Sequence, residues 1–279
     1  MPSATLQEIV EYRGVEGLVA AEVTVDDNET GEGHGYVTGN VFAIAGVAEI
    51  SKTTDSSNEA HYYDNIPAVV VSNTSSDEVT ISASAIPLDV MAEITGQTYD
   101  QTTGALIEGP RDVKYFALGY KTKKTNGDEM YVWRYKGTFN IPDQTNATEN
   151  DSTDANGQEI VYTGISTTHK FSKTGKGSKA LVVDTAKNLA NVSSFFDTVT
   201  TPDTLQAKTA YTLTITQDDD TTVTVTRNGV TLTSGAQIFA GDILIISVIG
   251  GTITVNGTSF TSGNPMLVSA DVTVVSTAT

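Results

Sequence analysis

Residues 114–139, KYFALGYKTKKTNGDEMYVWRYKGTF, decide the fold of this chain. Two runs rich in aromatic and β-branched residues flank Asn126-Gly127, a pair that readily takes the positive φ angles of a tight turn. The side chains of both runs alternate between two faces, and the second run carries Trp133, the only tryptophan of the chain. The pattern predicts a β-hairpin that holds much of the aromatic packing area of the protein.

Length and composition limit the classes of protein that this chain can belong to. Its 279 residues, 38% hydrophobic and 18% charged, are enough for one large domain or two ordinary ones. The chain has no cysteine, which excludes a disulfide framework, a thiolate metal site and a cysteine nucleophile. The N-terminus lacks the pattern of a signal peptide, and no stretch approaches the ~20 apolar residues of a membrane span. We therefore expect a soluble protein that is made inside a cell and has no membrane partner.

The formal net charge of −18 is unevenly distributed along the chain. Residues 1–100 contain only two basic residues, Arg13 and Lys52, whereas basic residues cluster over 111–136 and 170–187. Because an acidic surface repels phosphate, nucleic-acid binding is disfavoured for most of the molecule. Two interpretations remain open: the charge serves solubility, or it lets a polyanion pass without sticking.

Alternation before the hairpin predicts several strands. A long strand or bent strand is expected over 36–50, with Gly39 and Gly46 as bulge positions. Two short strands over 68–72 and 78–85 are expected to be joined by a turn, because residues 73–77 are Asn, Thr, Ser, Ser and Asp.

The only strong helix signal lies over Ile86–Gly96. Pro87 is tolerated at the start of a helix, and Gly96 is a natural C-terminal stop. Leu88, Met91 and Ala92 form an apolar stripe, so we expect this face of the helix to lie against a sheet. A second, short helix is predicted over 191–199.

The chain after the hairpin divides into a polar loop and a separate module. Asp143–Gln158 is almost without apolar residues and predicts a long mobile loop. From 203 to 279 short alternating runs recur, with hairpin signals at Asn228-Gly229 and Asn256-Gly257. These residues predict an all-β module that resembles immunoglobulin-like sandwiches in size but lacks their Cys and Trp marks. The expected fold is therefore mainly β with one flanking helix, in domains over 1–200 and 203–279.

Residues that could carry out catalysis are few. The three histidines, His34, His61 and His169, do not fall in a metal-ligand spacing. Asp218–Asp220 are adjacent acids, whereas a calcium loop spaces its ligands around a glycine turn, so a solvated hairpin tip is expected there. We predict no enzyme, no cofactor and no metal.

Three motifs in order carry a resemblance to a known family. The hairpin contains Ala117–Gly119, Tyr131–Trp133 and Tyr135–Gly137. These positions are similar to an Ala-Leu-Gly strand and a Tyr-Val-Trp strand ending Tyr-Lys-Gly in the major tail proteins, or tail tube proteins, of long-tailed, non-contractile bacteriophages of the phi13 type. Tyr63–Asn65 and Ile86–Gly96 are similar to two further elements of that family. The resemblance covers roughly residues 14–184.

The resemblance implies a tail-tube β-sandwich or barrel with one flanking helix. It implies six copies per ring and stacked rings that form a conduit for double-stranded DNA, which passes without specific binding. The other implied partners are a tape measure protein and tail terminator and distal tail proteins, and the location is the virion, after assembly in the host cytoplasm. The C-terminal module resembles immunoglobulin-like decorations, for which host surface glycans are a possible ligand. The alternative is a β-rich surface adhesion or glycan-binding protein.

Two polar segments and one set of lysines are candidate contacts between subunits or rings. Segment 51–65 is expected to reach the next ring and to become ordered only when it docks, and segment 143–158 is the second candidate. The lysines of the hairpin are expected to meet acidic surfaces on neighbouring subunits. The candidate residues are Lys52, Tyr62, Tyr63, Asp64, Lys121, Lys123, Lys124, Asp151 and Asp154.

Overall fold

The structure, a computed structural model, describes residues 9–63, 65–144 and 157–279. The chain forms two compact units: the first is Met1–Ala186 with Val192–Leu205, and the second is Lys187–Asn191 with Gln206–Thr279. The sequence places Lys187–Asn191 in the first domain, over 1–200. Hydrogen bonds join this segment to the second unit instead, from Asn191 N–H to the Gln206 carbonyl oxygen (2.9 Å) and from Lys208 N–H to the Leu189 carbonyl oxygen (2.8 Å).

Both units are mainly β, as the sequence predicts, and the described residues contain one α-helix. The strands of the first unit are β1 (Tyr12–Asp26), β2 (Tyr36–Thr38), β3 (Phe42–Ala43), β4 (Val47–Tyr63), β5 (Ile66–Ala83), β6 (Thr98–Asp100), β7 (Ala105–Ile107), β8 (Phe116–Lys124), β9 (Glu129–Phe139), β10 (Asp143–Gln144), β11 (Gln158–Ile165) and β12 (Ala180–Asp184).

One large antiparallel sheet dominates the first unit. Its strand order is β2-β1-β8-β9-β11-β5-β4, and β3, β10 and β12 pair with β1, β11 and β9. Side chains from both halves of this path, among them Leu18, Ile81, Leu118 and Ile160, share one buried core. The sheet therefore curls around its own apolar face.

The predicted hairpin is confirmed as β8–β9, at the centre of this sheet. Its turn differs from the expectation, because only Gly127 has a positive φ (89°) and Asn126 does not. Lys124 N–H donates to the Asp128 carbonyl oxygen (2.8 Å), and Gly127 N–H donates to the Lys124 carbonyl oxygen (3.1 Å). These bonds close a three-residue loop in which a type I turn is followed by a left-handed glycine.

Residues 166–179 and 192–205 of the same unit cover the face of β9 opposite the core. Trp133 is fully buried there, and its Nε1–H donates to the Phe195 carbonyl oxygen at 2.8 Å. The ring of Tyr135 lies 5.1 Å from the ring of Phe171, centroid to centroid. The hairpin therefore packs on both faces, which confirms that it is a centre of aromatic packing.

Two glycines of the hairpin make this packing possible. Gly119 lies opposite Trp133, and a Cβ added at Gly119 would be 2.9 Å from the Trp133 ring and 2.8 Å from Val19 Cγ2. A Cβ added at Gly137 would be 2.4 Å from Tyr162 Cζ. Space therefore requires glycine at both motif positions.

The single strand predicted over 36–50 is wrong. The chain forms β2, β3 and the start of β4 instead, with interruptions at the two glycines that were expected to be bulges. Gly39 N–H donates to the Glu22 carbonyl oxygen (2.8 Å), and Gly46 N–H donates to Ser84 Oγ (3.0 Å). Because of these contacts, residues 36–50 do not pair continuously with a single neighbouring strand.

The turn predicted over 73–77 is also wrong, because β5 runs without a break through these residues. Their backbone pairs with β4, from Ser57 opposite Asn73 to Thr54 opposite Asp77. Turn propensity is a weak preference, and a long partner strand that supplies hydrogen bonds overrides it.

The predicted helix is confirmed as α1 (Leu88–Thr95). Gly96 ends it with a left-handed φ of 73°, and its N–H donates to the Ala92 carbonyl oxygen. Met91 and Ala92 are buried as expected, whereas Leu88 is exposed at the first position of the helix. The second predicted helix, over 191–199, is wrong, since the chain there forms turns.

The second unit contains two sheets around one core. Its strands are β13 (Ala210–Thr216), β14 (Thr222–Arg227), β15 (Val230–Leu232), β16 (Gln237–Phe239), β17 (Ile243–Ile249), β18 (Gly251–Val255), β19 (Thr258–Phe260), β20 (Pro265–Leu267) and β21 (Val272–Ala278). One sheet has the order β16-β13-β21-β18-β19 and the other β15-β14-β17-β20. Both predicted Asn-Gly turns are confirmed, with φ values of 51° and 79° at Asn228-Gly229 and 50° and 78° at Asn256-Gly257.

Candidate assembly surface

Strands β4 and β5 continue far beyond the sheet that they belong to. β5 pairs with β11 only over 77–83, whereas its pairing with β4 continues to Tyr63 opposite Ile66. We call residues 55–63 and 65–76 the arm. The eight residues of Ser56–Tyr63, at about 3.4 Å per residue, extend it about 27 Å past the sheet.

The arm presents apolar side chains to solvent. Five large ones near its end are 50–66% exposed: Tyr62, Tyr63, Ile66, Val69 and Val70. Within the described residues, the two strands of the arm pair only with each other, so both outer edges keep free N–H and C=O groups. A two-stranded ribbon is only marginally stable in water, and exposed edges are templates for pairing with another chain. These features favour a partner that covers the arm.

A bulge and a buried carboxylate fix the base of the arm. The register of β4 and β5 shifts between Thr54 and Ser56, where Ser75 and Ser76 lie opposite Asp55 alone, so β5 carries the extra residue at the point where the ribbon leaves the sheet. Asp77, directly below on β5, is buried. Arg134 Nη1 lies 2.7 Å from Asp77 Oδ2, which joins the central hairpin to the arm.

Two lysines complete the surroundings of Asp77. Lys179 Nζ lies 3.4 Å from Asp77 Oδ1 and also contacts the Ser75 carbonyl oxygen, and Lys52 Nζ lies 3.9 Å from Asp77 Oδ2. Burial of Asp77 opposes its ionisation, but the nearby positive charges of Lys52, Arg134 and Lys179 hold its pKa below the usual value. Three cations around one carboxylate thus stabilise the junction from which the arm projects.

The structure places three of the predicted contact residues on β4. Tyr62 and Tyr63 lie near the end of the arm, and Lys52 lies at its base. Asp64, Asp151 and Asp154 lie outside the described residues. Segment 51–63, which was expected to become ordered on docking, is already a strand in the single chain.

Sequence reasoning missed the other half of the arm. Val69 and Val70 belong to the short strand predicted over 68–72, and Ile66 precedes it. Nothing in this run shows that it projects from the sheet. The signal that was available is the polar composition of both partner segments: residues 54–58 pair with residues 72–77, and every residue in both is polar.

The lysines of the central hairpin are paired within their own chain. Lys121 Nζ lies 2.7 Å from Glu16 and 3.0 Å from Glu129, and Lys123 Nζ lies 2.9 Å from Glu16. Lys124 pairs with Asp184. The two lysine hydrogen bonds lower the pKa of Glu16 to about 2. A neighbouring subunit would therefore have to displace these acidic side chains before its own acidic groups could pair with the lysines.

The described residues form neither a metal centre nor a membrane-spanning helix. Among the described residues, no group of three His, Asp or Glu side chains is placed to hold a metal ion. No helix in the described ranges is both long and apolar enough to cross a membrane.

Comparison with known proteins adds no support to the resemblance, which depends on its three motifs alone. No protein-family model matches the chain, and the search of curated proteins gives no significant match. The motif residues Gly119, Trp133 and Gly137 all lie in packed positions of the central sheet. These residues therefore serve packing within the single chain.

Proposed function

We propose that this chain is a structural virion protein, the major tail protein of a long-tailed, non-contractile bacteriophage. In this proposal six copies form a ring, and stacked rings form the tube through which double-stranded DNA passes. The first unit is the tail-tube domain. The observation that carries the proposal is the arm, because a projecting ribbon with free edges and an apolar end is suited to joining copies.

The arm can supply both affinity and register. Backbone N–H and C=O groups on its edges can extend the sheet of a neighbour, while side chains on its two faces enter the neighbour's surface. Burying a side chain such as Ile66 or Val70, which is already partly covered, contributes about 1 kcal/mol. Each contact is weak alone, and a ring that makes several at once binds far more tightly than one pair.

The anchored base suits this role. Asp77 and its three cations hold the start of the arm in the single chain, so less conformational entropy is lost when it docks. The second unit, with nine strands in two sheets, has the strand number of a variable-type immunoglobulin sandwich. We propose that it is a decoration carried by the tube domain.

The charge of the chain agrees with a conduit for DNA. A lumen lined by part of the net charge of −18 would repel phosphates and keep the DNA mobile. A tape measure protein inside the tube and terminator and distal tail proteins at its ends are the remaining proposed partners.

Electron microscopy of the purified full chain, over a range of protein and salt concentrations, tests the proposal. We expect rings or tubes from the wild-type chain and none from Ile66→Lys/Val70→Lys, whose lysines would have to be buried on docking. The control is Ile107→Lys, since Ile107 is also more than half exposed but lies on β7, away from the arm. Circular dichroism should show the same fold in all three proteins.

Two results would contradict the proposal. A wild-type chain that stays monomeric under every condition would argue against a tube protein. Assembly of the arm variant at the wild-type concentration would show that the arm is not the contact. Binding of the monomer to bacterial surface glycans, without assembly, would favour the adhesion protein instead.

A further inference from the structure

The curled sheet of the first unit leaves a cavity beside its core. The cavity has a volume of about 550 Å³. Sites for small molecules commonly have volumes of about 300–1,000 Å³, so this one is large enough for a ligand. The described residues of its lining belong to the first unit, and six of them are apolar side chains: Val15, Ile50, Tyr120, Met130, Val132 and Val182.

The strand register explains why apolar and charged groups share this cavity. Val132 on β9 lies opposite Tyr120 on β8 and opposite Val182 on β12, and all three line the cavity. Because side chains alternate along a strand, Arg134, two residues after Val132, lies on the same face of β9 and also lines the cavity. Val182 is 51% exposed, whereas Arg134 is 5% exposed. The cavity therefore opens to solvent beside Val182 and has a cation in its buried part.

The guanidinium group of Arg134 is only partly satisfied by its own chain. Its Nη1 donates to Asp77 Oδ2 at 2.7 Å. Its Nε–H is buried and makes no hydrogen bond within the described residues. Buried polar groups are normally hydrogen-bonded, and hydrogen bonds to charged groups are the strong ones. An unpaired donor of this kind in a cavity wall favours a ligand that supplies an acceptor.

The charges around Arg134 select the sign of that ligand. Lys52 Nζ, which also lines the cavity, lies 3.9 Å from the same oxygen, Asp77 Oδ2, and Lys179 Nζ lies 3.4 Å from Asp77 Oδ1. Glu49 is the acidic residue of the described lining. Three cations against the two carboxylates of Asp77 and Glu49 leave one positive charge, in a chain whose net charge is −18. Because a nearby anion stabilises a desolvated cation, the cavity matches a ligand with one negative charge and an apolar body.

We propose that this cavity binds a small alkyl carboxylate, of the kind represented by a medium-chain fatty acid. The carboxylate accepts the hydrogen bond that Arg134 Nε–H leaves unfilled and lies near Lys52 Nζ. The alkyl chain covers the apolar lining and extends toward the opening beside Val182. A neutral alkyl alcohol lacks the charge, and an alkylammonium ion carries the wrong one. The proposal does not depend on tube formation, since the cavity lies within the first unit of a single chain.

Isothermal titration calorimetry of the full chain at pH 7 tests this proposal with ligands of one chain length. The probes are decanoate, decanol and decylammonium. We expect decanoate to bind once per chain and at least tenfold more tightly than the other two, because it alone carries a negative charge. Octanoate should bind about 15-fold more weakly than decanoate, since each buried CH₂ group strengthens binding about fourfold.

Substitutions at the opening place the binding in the cavity. Val182→Asp puts a negative charge beside the opening and should weaken decanoate binding at least tenfold. Val113→Asp is the matched control, because Val113 is 57% exposed in the same unit and does not line the cavity. Lys52→Gln should weaken the binding of decanoate and leave that of decanol unchanged. Circular dichroism should show the same fold in all three variants.

Four results would overturn the proposal. Equal affinities for decanoate and decanol would remove the anionic site, and the absence of binding at millimolar decanoate would remove the ligand site altogether. An affinity that Val182→Asp leaves unchanged would place the binding outside the cavity. Decanoate should still bind to Ile66→Lys/Val70→Lys, and loss of binding there would assign it to the apolar side chains of the arm instead.

Discussion

The two long hairpins of the first unit, β8–β9 and β4–β5, have the same pairing pattern but opposite surroundings. β8–β9 has strands on both sides and covered faces, so its aromatic side chains stabilise the fold. The arm of β4–β5 pairs with no further strand within the described residues, and its large apolar side chains near the end face solvent. The difference teaches that the position of a hairpin in the sheet, more than its composition, decides whether its apolar groups serve folding or binding.

The largest expected effect comes from the buried hairpin. Trp133→Ala removes the largest fully buried side chain of β9 and the hydrogen bond to Phe195, and should destabilise the protein by about 3–5 kcal/mol. Tyr62→Ala, on the arm, should change the free energy of unfolding by less than about 0.5 kcal/mol. Urea unfolding measures both. Equal losses would show that the arm also contributes to the stability of the single chain.

The second-largest effect on stability is expected at Asp77, where the two hairpins are joined. Asp77→Asn leaves Arg134 without its carboxylate, and we expect a loss of about 3 kcal/mol at pH 7, the lower end for a broken buried pair because the lysines are partly exposed. Asp55→Asn, the same change at an exposed position opposite the bulge, should be nearly neutral. A similar loss in both variants would contradict an anchoring role for Asp77.

The Asp77 effect should depend on pH with a defined sign. Its pKa is lower in the folded protein than the unfolded value of about 3.9. Its contribution is therefore complete above that value and is lost as the pH falls through the folded pKa. The stability difference between wild type and Asp77→Asn should thus shrink below about pH 4 in urea titrations. A difference that stays constant down to pH 2 would show that packing, rather than charge, is responsible.

A smaller effect is expected from crowding in the buried hairpin. Gly119→Ala places a methyl group against Trp133 and Val19 and should cost about 1–3 kcal/mol. Gly109→Ala is the control, because a Cβ there meets no atom within 4 Å and its φ is not positive. Thermal unfolding compares the two variants. A neutral Gly119→Ala would mean that Trp133 can move away.

The smallest effect on folding is expected at the hairpin lysines. Lys123→Glu breaks an exposed pair with Glu16, and surface pairs contribute about 0–1 kcal/mol. If this lysine also meets acidic groups of neighbouring copies, assembly measured by light scattering should weaken much more than stability does. Lys170→Glu, outside the hairpin, is the control for the change in net charge. Loss of stability with unchanged assembly would assign Lys123 to the fold alone.

The sequence predicted the buried hairpin better than the projecting one for a physical reason. Aromatic alternation and a glycine turn report local preferences, and in β8–β9 these agree with the packing around Gly119 and Trp133. In β5, residues 73–77 prefer a turn, but pairing with β4 overrides that preference. The candidate site was found in part, since Tyr62 and Tyr63 were named, whereas Ile66 and Val70 became part of it only through pairing.

By itself the sequence determined the β character, the single well-formed helix and the Asn-Gly turns of the second unit, because each depends on neighbours along the chain. Only the tertiary structure decided that residues 55–63 and 65–76 form one ribbon, that Asp77 is buried among three cations, and that Ile243 and Ile245 face outward. Those features depend on which strands become neighbours in space, and local periodicity carries no information about that choice.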